Sequence, residues 1–250
     1  MYSTAPKPSE ADLPSYYESQ DYISHTDGKR GWFEKVYQVV KGITLSRKQK
    51  LLHSYSPSRG SVLDIGSGTG EFVAYLNKHK WQAQGMEPNE NARALSQQKG
   101  VATASSLEEV TMSFDVITMW HVLEHVYDVK EQISWLKKHL SQDGYLFIAV
   151  PNFESQDAKH YKEHWAAYDV PRHLSHFSQK AIQLLFKEQG FEFVKTHPMK
   201  FDAYYVSLLS EKYKTGKMKF LSAGLQGWKS NRAARRSGEY SSLVYVLRHK

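Results

Sequence analysis

Short apolar runs alternate with amphipathic stretches from residue 61 to residue 197. The apolar runs have the length of strands, and the stretches between them repeat apolar residues at helical spacing, so we expect strands and helices in alternation. The predicted strands are SVLDI (61–65), WQAQGM (81–86), VATA (101–104), FDVITMW (114–120), GYLFIAV (144–150), FEFVKTH (191–197) and SSLVYVLRH (241–249). The predicted helices between them are EFVAYLNKHK, NENARALSQQKG, VKEQISWLKKHL and SQKAIQLLFKEQG.

Strands that are apolar on both faces indicate a sheet covered by helices on both sides. The pattern therefore predicts an α/β fold with a Rossmann-like, doubly wound, mostly parallel sheet over residues 59–198. A seventh strand in residues 239–250 completes this sheet. Residues 1–58 are expected to form an N-terminal cap with one or two helices. Residues 199–238 are expected to form a basic insertion, with the helix AYYVSLLSEKYK followed by a mobile tail.

A glycine-rich turn follows the first predicted strand, in VLDIGSGTGEF (62–72). Open parallel sheets bind ligands beyond the carboxyl ends of their strands, and Gly66, Gly68 and Gly70 allow the backbone to approach a ligand closely. A dinucleotide fingerprint needs another glycine at position 71, where this chain has Glu71. A carboxylate in the first turn of a helix repels a pyrophosphate, and no lysine follows as in a P-loop. The turn therefore favours a nucleoside that carries no phosphate.

S-Adenosylmethionine (SAM) is such a nucleoside. Its amino group and its sulfonium are cations that a carboxylate such as Asp64 can hold. The second predicted strand ends in GMEPNE, where Glu87 lies 21 residues after Gly66. An acidic side chain at this spacing accepts hydrogen bonds from both ribose hydroxyls. SAM is therefore the predicted cofactor.

Four segments, VLDIGSGTGEF, GMEPNENA, FDVITMWHVLEHVYD and GYLFIAVPN, together resemble the successive motifs of class I SAM-dependent methyltransferases. The resemblance implies a seven-stranded sheet with an antiparallel last strand, Glu87 on the ribose, and Ser105 or Ser106 near the adenine. WHVLEHV is similar to the ubiquinone-biosynthesis O-methyltransferase group, and DVPRHLSHF resembles a loop found in many bacterial relatives. The residues predicted to contact SAM are Asp64, Gly66, Ser67, Gly68, Gly70, Glu87, Pro88, Ser105, Ser106, Trp120 and His121.

Three of the twelve histidines are candidates for a catalytic proton acceptor. Methyl transfer to a hydroxyl group needs an aligned acceptor and a base, and histidine titrates in the useful range. His121 follows the fourth strand directly, and His125 lies within one helical turn of it. His173 lies in the loop after the fifth strand. In the alternative interpretation, His125 only caps a turn or hydrogen-bonds a backbone carbonyl.

The segment YDVPRHLSHF predicts a wall of the substrate pocket. Arg172 and His176 are the predicted substrate-binding residues, because a guanidinium group can hold an anion through two parallel contacts. In the alternative interpretation, Arg172 pairs with Asp169 or Glu163 and only fixes the loop.

The polar and aromatic segment near the N-terminus contains further candidates for substrate binding. Tyr16, Tyr17 and His25 are predicted to form a lid, since aromatic faces attract a sulfonium and exclude water. The alternative is that these rings only pack on the surface of the domain.

The composition and one motif difference limit the reactions and the methyl acceptors that the sequence allows. The chain has no cysteine, which excludes disulfides, iron–sulfur clusters and thiol nucleophiles. The fourth strand ends in WHVL and lacks the Asn/Asp-Pro-Pro-aromatic turn of enzymes that methylate exocyclic amines. A hydroxyl group of a small molecule, or an activated carbon next to one, is therefore the predicted acceptor. The resemblance to the quinone group implies a divalent ion held by acidic residues in this segment. Only Glu124 and His125 match that metal-binding pattern, and His121 stands in place of the first acidic residue. We therefore predict no metal.

The formal charge of +7 is concentrated in one segment. Lys195 to Arg236 contains ten Lys/Arg and two acidic residues, a net charge of +8. Such a segment could contact RNA or an anionic membrane, although Trp228 and Tyr240 are the only aromatic candidates for base stacking at its arginine-rich stretch KSNRAARRSGEY. Methylation of nucleic acid is therefore one alternative function. A SAM-binding subunit without catalysis is the other.

Two features of the sequence concern location. The longest apolar runs are far shorter than the about 18 residues of a membrane span, and the start MYSTAPKPSEADLPSYYE has acids and prolines where a signal peptide is apolar. We therefore expect a cytoplasmic protein. The sequence leaves its oligomeric state open.

Overall fold

The structure is a computed structural model that describes residues 1–9, 12, 13, 16 and 32–250, with only the backbone described for residues 32–37. The strands are β1 (Tyr2–Ser3), β2 (Ser61–Ile65), β3 (Gln82–Met86), β4 (Thr103–Ala104), β5 (Phe114–Trp120), β6 (Leu140–Pro151), β7 (Ser175–His176), β8 (Phe191–Pro198) and β9 (Ser242–His249). The α-helices are α1 (Trp32–Tyr55), α2 (Glu71–Lys78), α3 (Glu90–Gln98), α4 (Val129–His139), α5 (Gln156–Tyr161), α6 (Gln179–Glu188), α7 (Asp202–Thr215) and α8 (Phe220–Ser237).

Seven of these strands form one sheet in the order β4-β3-β2-β5-β6-β9-β8. β2 pairs in parallel with β3, and β3 pairs in parallel with β4. β9 is antiparallel to both of its neighbours, β6 and β8. This arrangement confirms the predicted fold class, including the antiparallel last strand. β2 and β5 are buried along most of their length, as their uninterrupted apolar sequences predict.

The described chain divides into two compact units. The amino-terminal unit consists of Pro8–Thr118 and Lys138–Tyr145, and buries Leu63, Val73 and Leu76. The carboxyl-terminal unit consists of Met1–Lys7, Met119–Lys137 and Leu146–Lys250. One of its core clusters is formed by Ala158, Tyr161, Trp165, Ala166, Ala167 and Val206.

Polar side chains cap the helices where the sequence predicts their starts. The Asn89 side chain accepts a hydrogen bond from the Ala92 N–H at the start of α3. The Ser178 hydroxyl accepts one from the Ala181 N–H at the start of α6. Each cap pairs a backbone donor that has no partner within its own helix.

The residues after AYYVSLLSEKYK, 215–238, were expected to be a mobile tail, and this prediction is wrong, because α8 occupies most of this segment. Two of the small residues that suggested mobility, Gly227 and Ser230, lie on the buried face of α8. A Cβ atom at Gly227 would lie only 2.9 Å from the Cα atom of Tyr204 in α7. Glycine therefore allows the two helices to approach closely, and here it stabilises their packing.

A buried carboxylate connects α5 with α8 and with Ser241, the residue before β9. Asp157 is fully buried and accepts hydrogen bonds from Trp165 Nε1 at 2.8 Å, Ser230 Oγ at 2.6 Å and Ser241 Oγ at 2.6 Å. Hydrogen bonds from several donors offset the free-energy cost of removing a carboxylate from water. This network gives α8 a second anchor besides its contact with α7.

The first residues of the chain form a short strand that the sequence pattern did not predict. β1 pairs antiparallel with β7, with Tyr2 opposite His176 and Ser3 opposite Ser175. Two residues are too few for a periodic signal, so this pairing depends on contacts that are distant in sequence. None of the described helices has both the length and the apolar character needed to cross a lipid bilayer.

Candidate functional site

The glycine turn after β2 has the backbone conformation that requires glycine. Gly66, Gly68 and Gly70 have φ angles of 70°, 54° and 72°, in the left-handed region. The N–H groups of Gly66 and Ser67 donate to the Met86 carbonyl at 2.7 and 3.1 Å, which holds the turn against the end of β3. A Cβ atom at Gly68 would meet no atom within 4 Å. The turn therefore presents open backbone at Gly68.

Glu87 follows β3, and its carboxylate is held by two backbone groups. Its Oε2 accepts from the Gly68 N–H and its Oε1 accepts from the Asn89 N–H, both at 2.9 Å. A carboxylate has about four lone-pair positions, so Glu87 can accept further hydrogen bonds from a ligand. The structure thus brings together Glu87 and Gly68, two residues that the sequence assigned to the same ligand.

Asp64 is buried within β2, with 3% of its surface exposed, and accepts a hydrogen bond from the Thr118 hydroxyl. Burial raises the pKa of Asp64 to about 6, although the Thr118 hydrogen bond and the charge of Lys48 act in the opposite direction. A cation beside Asp64 would lower this pKa and be attracted by the carboxylate. Sequence reasoning missed Thr118, although a polar residue inside the apolar run FDVITMW was an available signal.

The serines assigned to the ligand differ in their surroundings. The Ser67 hydroxyl is buried and has no hydrogen-bond partner among the described residues. Such an unpaired group favours a ligand that can pair with it. Ser105 already donates to Glu109 through its N–H at 2.8 Å and its hydroxyl at 2.5 Å. Pro88 lies between Glu87 and the cap of α3, and its carbonyl accepts from Arg93.

Glu71 lies at the start of α2 and forms two ion pairs. Its carboxylate lies 2.9 Å from Lys41 Nζ and 3.0 Å from Lys99 Nζ. Burial opposes ionisation, but these lysines hold the pKa of Glu71 below its usual value. The two cations offset the charge of Glu71, so its repulsion of a pyrophosphate is weaker than the sequence alone indicated.

His121 lies in the carboxyl-terminal unit, between two carboxylates. Its Nδ1 lies 3.3 Å from Glu124 Oε1 and its Nε2 lies 3.0 Å from Asp202 Oδ2. Burial acts to lower the pKa of His121, but the two carboxylates outweigh burial and raise it to about 10. His121 is therefore protonated at neutral pH. Asp202 was missed, because a partner 81 residues away leaves no local signal.

His125 and His173 form a second pair of rings next to Glu124. The ring centroids are 4.5 Å apart, and the rings meet edge to face. His125 Nδ1 donates to the Arg172 carbonyl at 3.1 Å and His173 Nδ1 donates to the Ala167 carbonyl at 2.9 Å, because a carbonyl oxygen can only accept. Burial lowers the pKa of His173 to about 4. The His125 contact agrees with the alternative in which His125 hydrogen-bonds a backbone carbonyl.

Glu124 is almost completely buried, with 1% of its surface exposed. Burial raises its pKa, but the contact with protonated His121 outweighs this and lowers it. Its Oε2 has no hydrogen-bond partner among the described residues. Glu124, His125 and His173 each offer one ligand atom, and these atoms lie within 4.8 Å of one another. One carboxylate and two imidazoles form a donor set that suits a divalent metal such as zinc.

Arg172 and His176 both have internal contacts. Arg172 donates through Nη2 at 2.6 Å and through Nε at 3.2 Å to one Asp169 oxygen, as the alternative interpretation predicted. His176 lies 3.1 Å from the Thr4 hydroxyl, and burial lowers its pKa. The residues that line a small pocket in this unit include Glu124, Phe153, Trp165, His173 and His176.

The other predicted residues lie elsewhere or outside the described chain. Trp120 ends β5 and, like His121, belongs to the carboxyl-terminal unit, whereas the glycine turn belongs to the amino-terminal unit. Tyr16 is exposed. Tyr17 and His25 lie outside the described residues, so the predicted lid stays a prediction.

Comparison with known proteins places this geometry in a family. The chain is 28% identical over 138 residues to the uncharacterized methyltransferase YcgJ of Bacillus subtilis (strain 168), covering 50% of this chain and 54% of that protein. The chain spans between 50% and 57% of the length of three such curated relatives.

Solved structures share the fold at low sequence identity. Magnesium protoporphyrin IX methyltransferase (ChlM) from Synechocystis PCC 6803, with bound S-adenosylhomocysteine (SAH), has a TM-score of 0.64 at 14% identity over 97% of this chain and 100% of that chain. A Burkholderia thailandensis 1,6-didemethyltoxoflavin-N1-methyltransferase has a TM-score of 0.57 at 16% identity over 99% of this chain and 93% of that chain. A family described as "Methyltransferase domain" matches residues 42–196, more than half of the chain. The chain therefore belongs to the methyltransferase domain family, and the glycine turn and Glu87 lie within the matched residues.

Proposed function

We propose that the chain transfers the methyl group of SAM to a hydroxyl oxygen of a small molecule. The observation that carries this proposal is the Glu87 carboxylate, which is fixed by the N–H groups of Gly68 and Asn89 beside open glycine backbone. The family membership and the ligands named for its structural neighbours support SAM as the donor. Bound SAM supplies an electrophilic methyl group on a cationic sulfur.

The residues of the amino-terminal unit fit SAM. The fixed oxygens of Glu87 retain lone pairs for a ribose diol. The buried carboxylate of Asp64 can attract the cationic amino group, because such a partner offsets the cost of its burial. The unpaired hydroxyl of Ser67 offers one further hydrogen bond. Because none of these contacts needs a phosphate, the site favours SAM over a dinucleotide.

His125 is the residue that we propose as proton acceptor. Since His121 is held protonated between Glu124 and Asp202, it is a poor base at neutral pH, and we assign it a positioning role instead. The low pKa of His173 makes it a weak base. The Nδ1 proton of His125 is fixed on a carbonyl, which leaves Nε2 as the nitrogen with the lone pair in the neutral ring.

We propose that this chemistry needs no metal, although Glu124, His125 and His173 could ligate one. The Glu124 carboxylate already pairs with the protonated His121, which offsets the charge that would attract a metal cation. Removal of a proton by an imidazole also needs no Lewis acid.

The function is tested by incubating the protein with labelled SAM and a metabolite extract, with and without nuclease treatment. We expect label in a small, nuclease-resistant product, and we expect the His125→Asn variant to bind SAH but to transfer label at least about 100-fold more slowly. Label in a nuclease-sensitive product would replace this proposal with nucleic-acid methylation. SAH binding without transfer to any fraction would favour a non-catalytic SAM-binding subunit.

A further inference from the structure

The helices α7 and α8 and the turn between them, residues 202–237, form what we call the basic hairpin. The segment from Lys195 to Arg236, which contains it, has a net charge of +8, so the rest of the chain is close to neutral. The two acidic residues of this segment are engaged internally. Asp202 pairs with His121, and Glu211 is buried and accepts from the hydroxyls of Tyr161 and Ser222. The positive surface of the basic hairpin therefore has no acidic counterpart within the segment.

Helix α8 places its large apolar side chains in solvent. Leu221 is 92% exposed, Phe220 is 63% exposed, and Leu225 and Trp228 are about half exposed. Leu221, Leu225 and Trp228 follow a spacing of four and three residues, so they form one stripe along the helix. The opposite, buried face of α8 contains Ala223, Gln226, Gly227, Ser230 and Ala234. This distribution is the reverse of an ordinary surface helix, whose large apolar residues face the core.

The turn of the hairpin combines the same two properties. Every residue from 212 to 222 is exposed. Four of these residues are lysines, at positions 212, 214, 217 and 219, and they alternate with the apolar side chains of Tyr213, Met218 and Phe220. Cations and apolar groups are therefore interleaved at the end of the hairpin.

We propose that the basic hairpin docks the protein onto the surface of a lipid bilayer that contains anionic lipids. Exposed aliphatic and aromatic side chains enter the boundary between headgroups and acyl chains, while lysines stay at the phosphates. Trp228 has the amphipathic ring that this boundary favours, with the Arg232 guanidinium 5.4 Å from the ring centroid. No described helix can cross the bilayer, so the hairpin lies on the membrane rather than spanning it.

Charge and side-chain chemistry favour this partner over two others. A second copy of the chain docked through the same face would bring two surfaces of net positive charge together, which opposes association. RNA would satisfy the lysines and arginines, but recognition of single-stranded RNA uses aromatic rings on which bases stack. The hairpin does expose aromatic rings, among them Tyr213, Phe220 and Trp228. Its exposed aliphatic side chains, Leu221, Leu225 and Met218, offer no stacking surface, whereas a hydrocarbon boundary suits both kinds of side chain.

The experiment is sedimentation of the full-length protein with vesicles, at low and at physiological salt. We expect binding to vesicles of phosphatidylcholine with phosphatidylglycerol, little binding to vesicles of phosphatidylcholine alone, and weaker binding at higher salt. A double variant with Leu221→Ser and Trp228→Ser, and another with Lys217→Gln and Lys219→Gln, should each bind anionic vesicles about tenfold more weakly or worse.

Matched controls remove an exposed leucine or two exposed lysines outside the basic hairpin. Leu184→Ser removes an exposed leucine of α6, and Lys50→Gln with Lys78→Gln removes two exposed lysines of other helices. These controls should bind like the wild type, and unchanged circular dichroism verifies the fold of every variant. Equal binding of the Leu221/Trp228 variant and the wild type would overturn the proposal. Tight RNA binding without vesicle binding, or a dimer that the same variant dissociates, would overturn it as well.

Discussion

At the scale of single residues, the proposed donor site depends most on Glu87. Its two oxygens each accept one backbone hydrogen bond, from Gly68 and from Asn89. The carboxylate therefore orients the glycine turn and, in our proposal, the ribose at the same time. An amide in its place would turn an NH₂ group toward at least one of these donors.

We predict that Glu87→Gln weakens SAH binding by about 10- to 100-fold, since a hydrogen bond to a charged group contributes about 1.5–3 kcal/mol. Isothermal titration calorimetry measures this affinity. Glu131→Gln is the matched control, because Glu131 is an exposed glutamate of α4, and it should leave the affinity unchanged. An unchanged affinity in the Glu87 variant would exclude Glu87 from the donor site.

The second residue-scale prediction concerns pH and the pair His121–Asp202. The pKa of His121 is raised from 6.5 to about 10 in the folded protein. The contribution of its ion pairs to the free energy of unfolding is therefore complete below about pH 6.5 and is lost as the pH rises through about 10. Because the pair is partly exposed, we expect it to contribute about 1 kcal/mol or less. Asp202→Asn should lower the melting temperature at pH 7 and have little effect above pH 10.

Thermal unfolding at several pH values, with an NMR titration of the His121 ring, tests this expectation. In Asp202→Asn the titration midpoint of His121 should fall. The exposed Asp143 offers the control Asp143→Asn, which should change neither the midpoint nor the melting temperature. A wild-type midpoint near 6.5 would contradict the assigned ion pair.

A third residue-scale prediction follows from the ion pair of Glu124 with His121. We expect the turnover of the purified protein to be unchanged by a strong chelator, since protonated His121, which Glu124 shares with Asp202, offsets part of the charge of Glu124. The assay compares transfer of label before chelation, after chelation, and after zinc or magnesium is added back. Activity that disappears with the chelator and returns with the ion would assign the cluster of Glu124, His125 and His173 as a metal site.

At the scale of elements, the pairing of α7 with α8 determines which side of α8 meets solvent. Gly227 allows close contact with the backbone of Tyr204, and Asp157 holds Ser230 on the same face. These contacts hold Gly227 and Ser230 on the buried face of α8. The apolar stripe of Leu221, Leu225 and Trp228 is therefore directed outward by packing on the other side of the helix.

We predict that Gly227→Ala destabilises the fold by about 1–3 kcal/mol, because its Cβ would lie 2.9 Å from the Tyr204 Cα and 3.0 Å from the Tyr204 N. Gly224→Ala is the control on the same helix, since a Cβ there meets no atom within 4 Å. Alanine is favoured over glycine inside a helix by about 1 kcal/mol, so this control should be neutral or stabilising. Urea unfolding measures both changes, and equal effects would contradict the close packing of α7 and α8.

At the scale of the whole molecule, the donor should stabilise the folded chain, because the glycine turn and Glu87 meet only in that state. A ligand at about 100 times its dissociation constant adds about 2.7 kcal/mol, which corresponds to a rise of about 5 °C or more in melting temperature for a chain of this length. We predict such a rise with SAH and none with NAD, measured by differential scanning fluorimetry. A larger rise with NAD would favour a dinucleotide at the glycine turn.

The sequence by itself determined the alternation of strands and helices and the position of the ligand turn. Strand and helix periodicity are local properties, so the bounds of β2 and β5 were predicted without error and the ends of most other elements to within a few residues. The glycine pattern and the acidic residue after β3 are also local, and they were enough to predict SAM as the cofactor, while four local motifs together predicted the family.

Only the tertiary structure decided the electrostatics of the histidines and the orientation of α8. The pairs His121–Asp202 and Asp64–Thr118 join residues 81 and 54 positions apart, and no local pattern encodes such contacts. The glycines and serines of α8 suggested a mobile tail, because small residues weaken an isolated helix. In the folded chain two of these residues, Gly227 and Ser230, lie on the buried face of α8, where their small size allows close packing. Helix stability depends on tertiary contacts more than on intrinsic propensity.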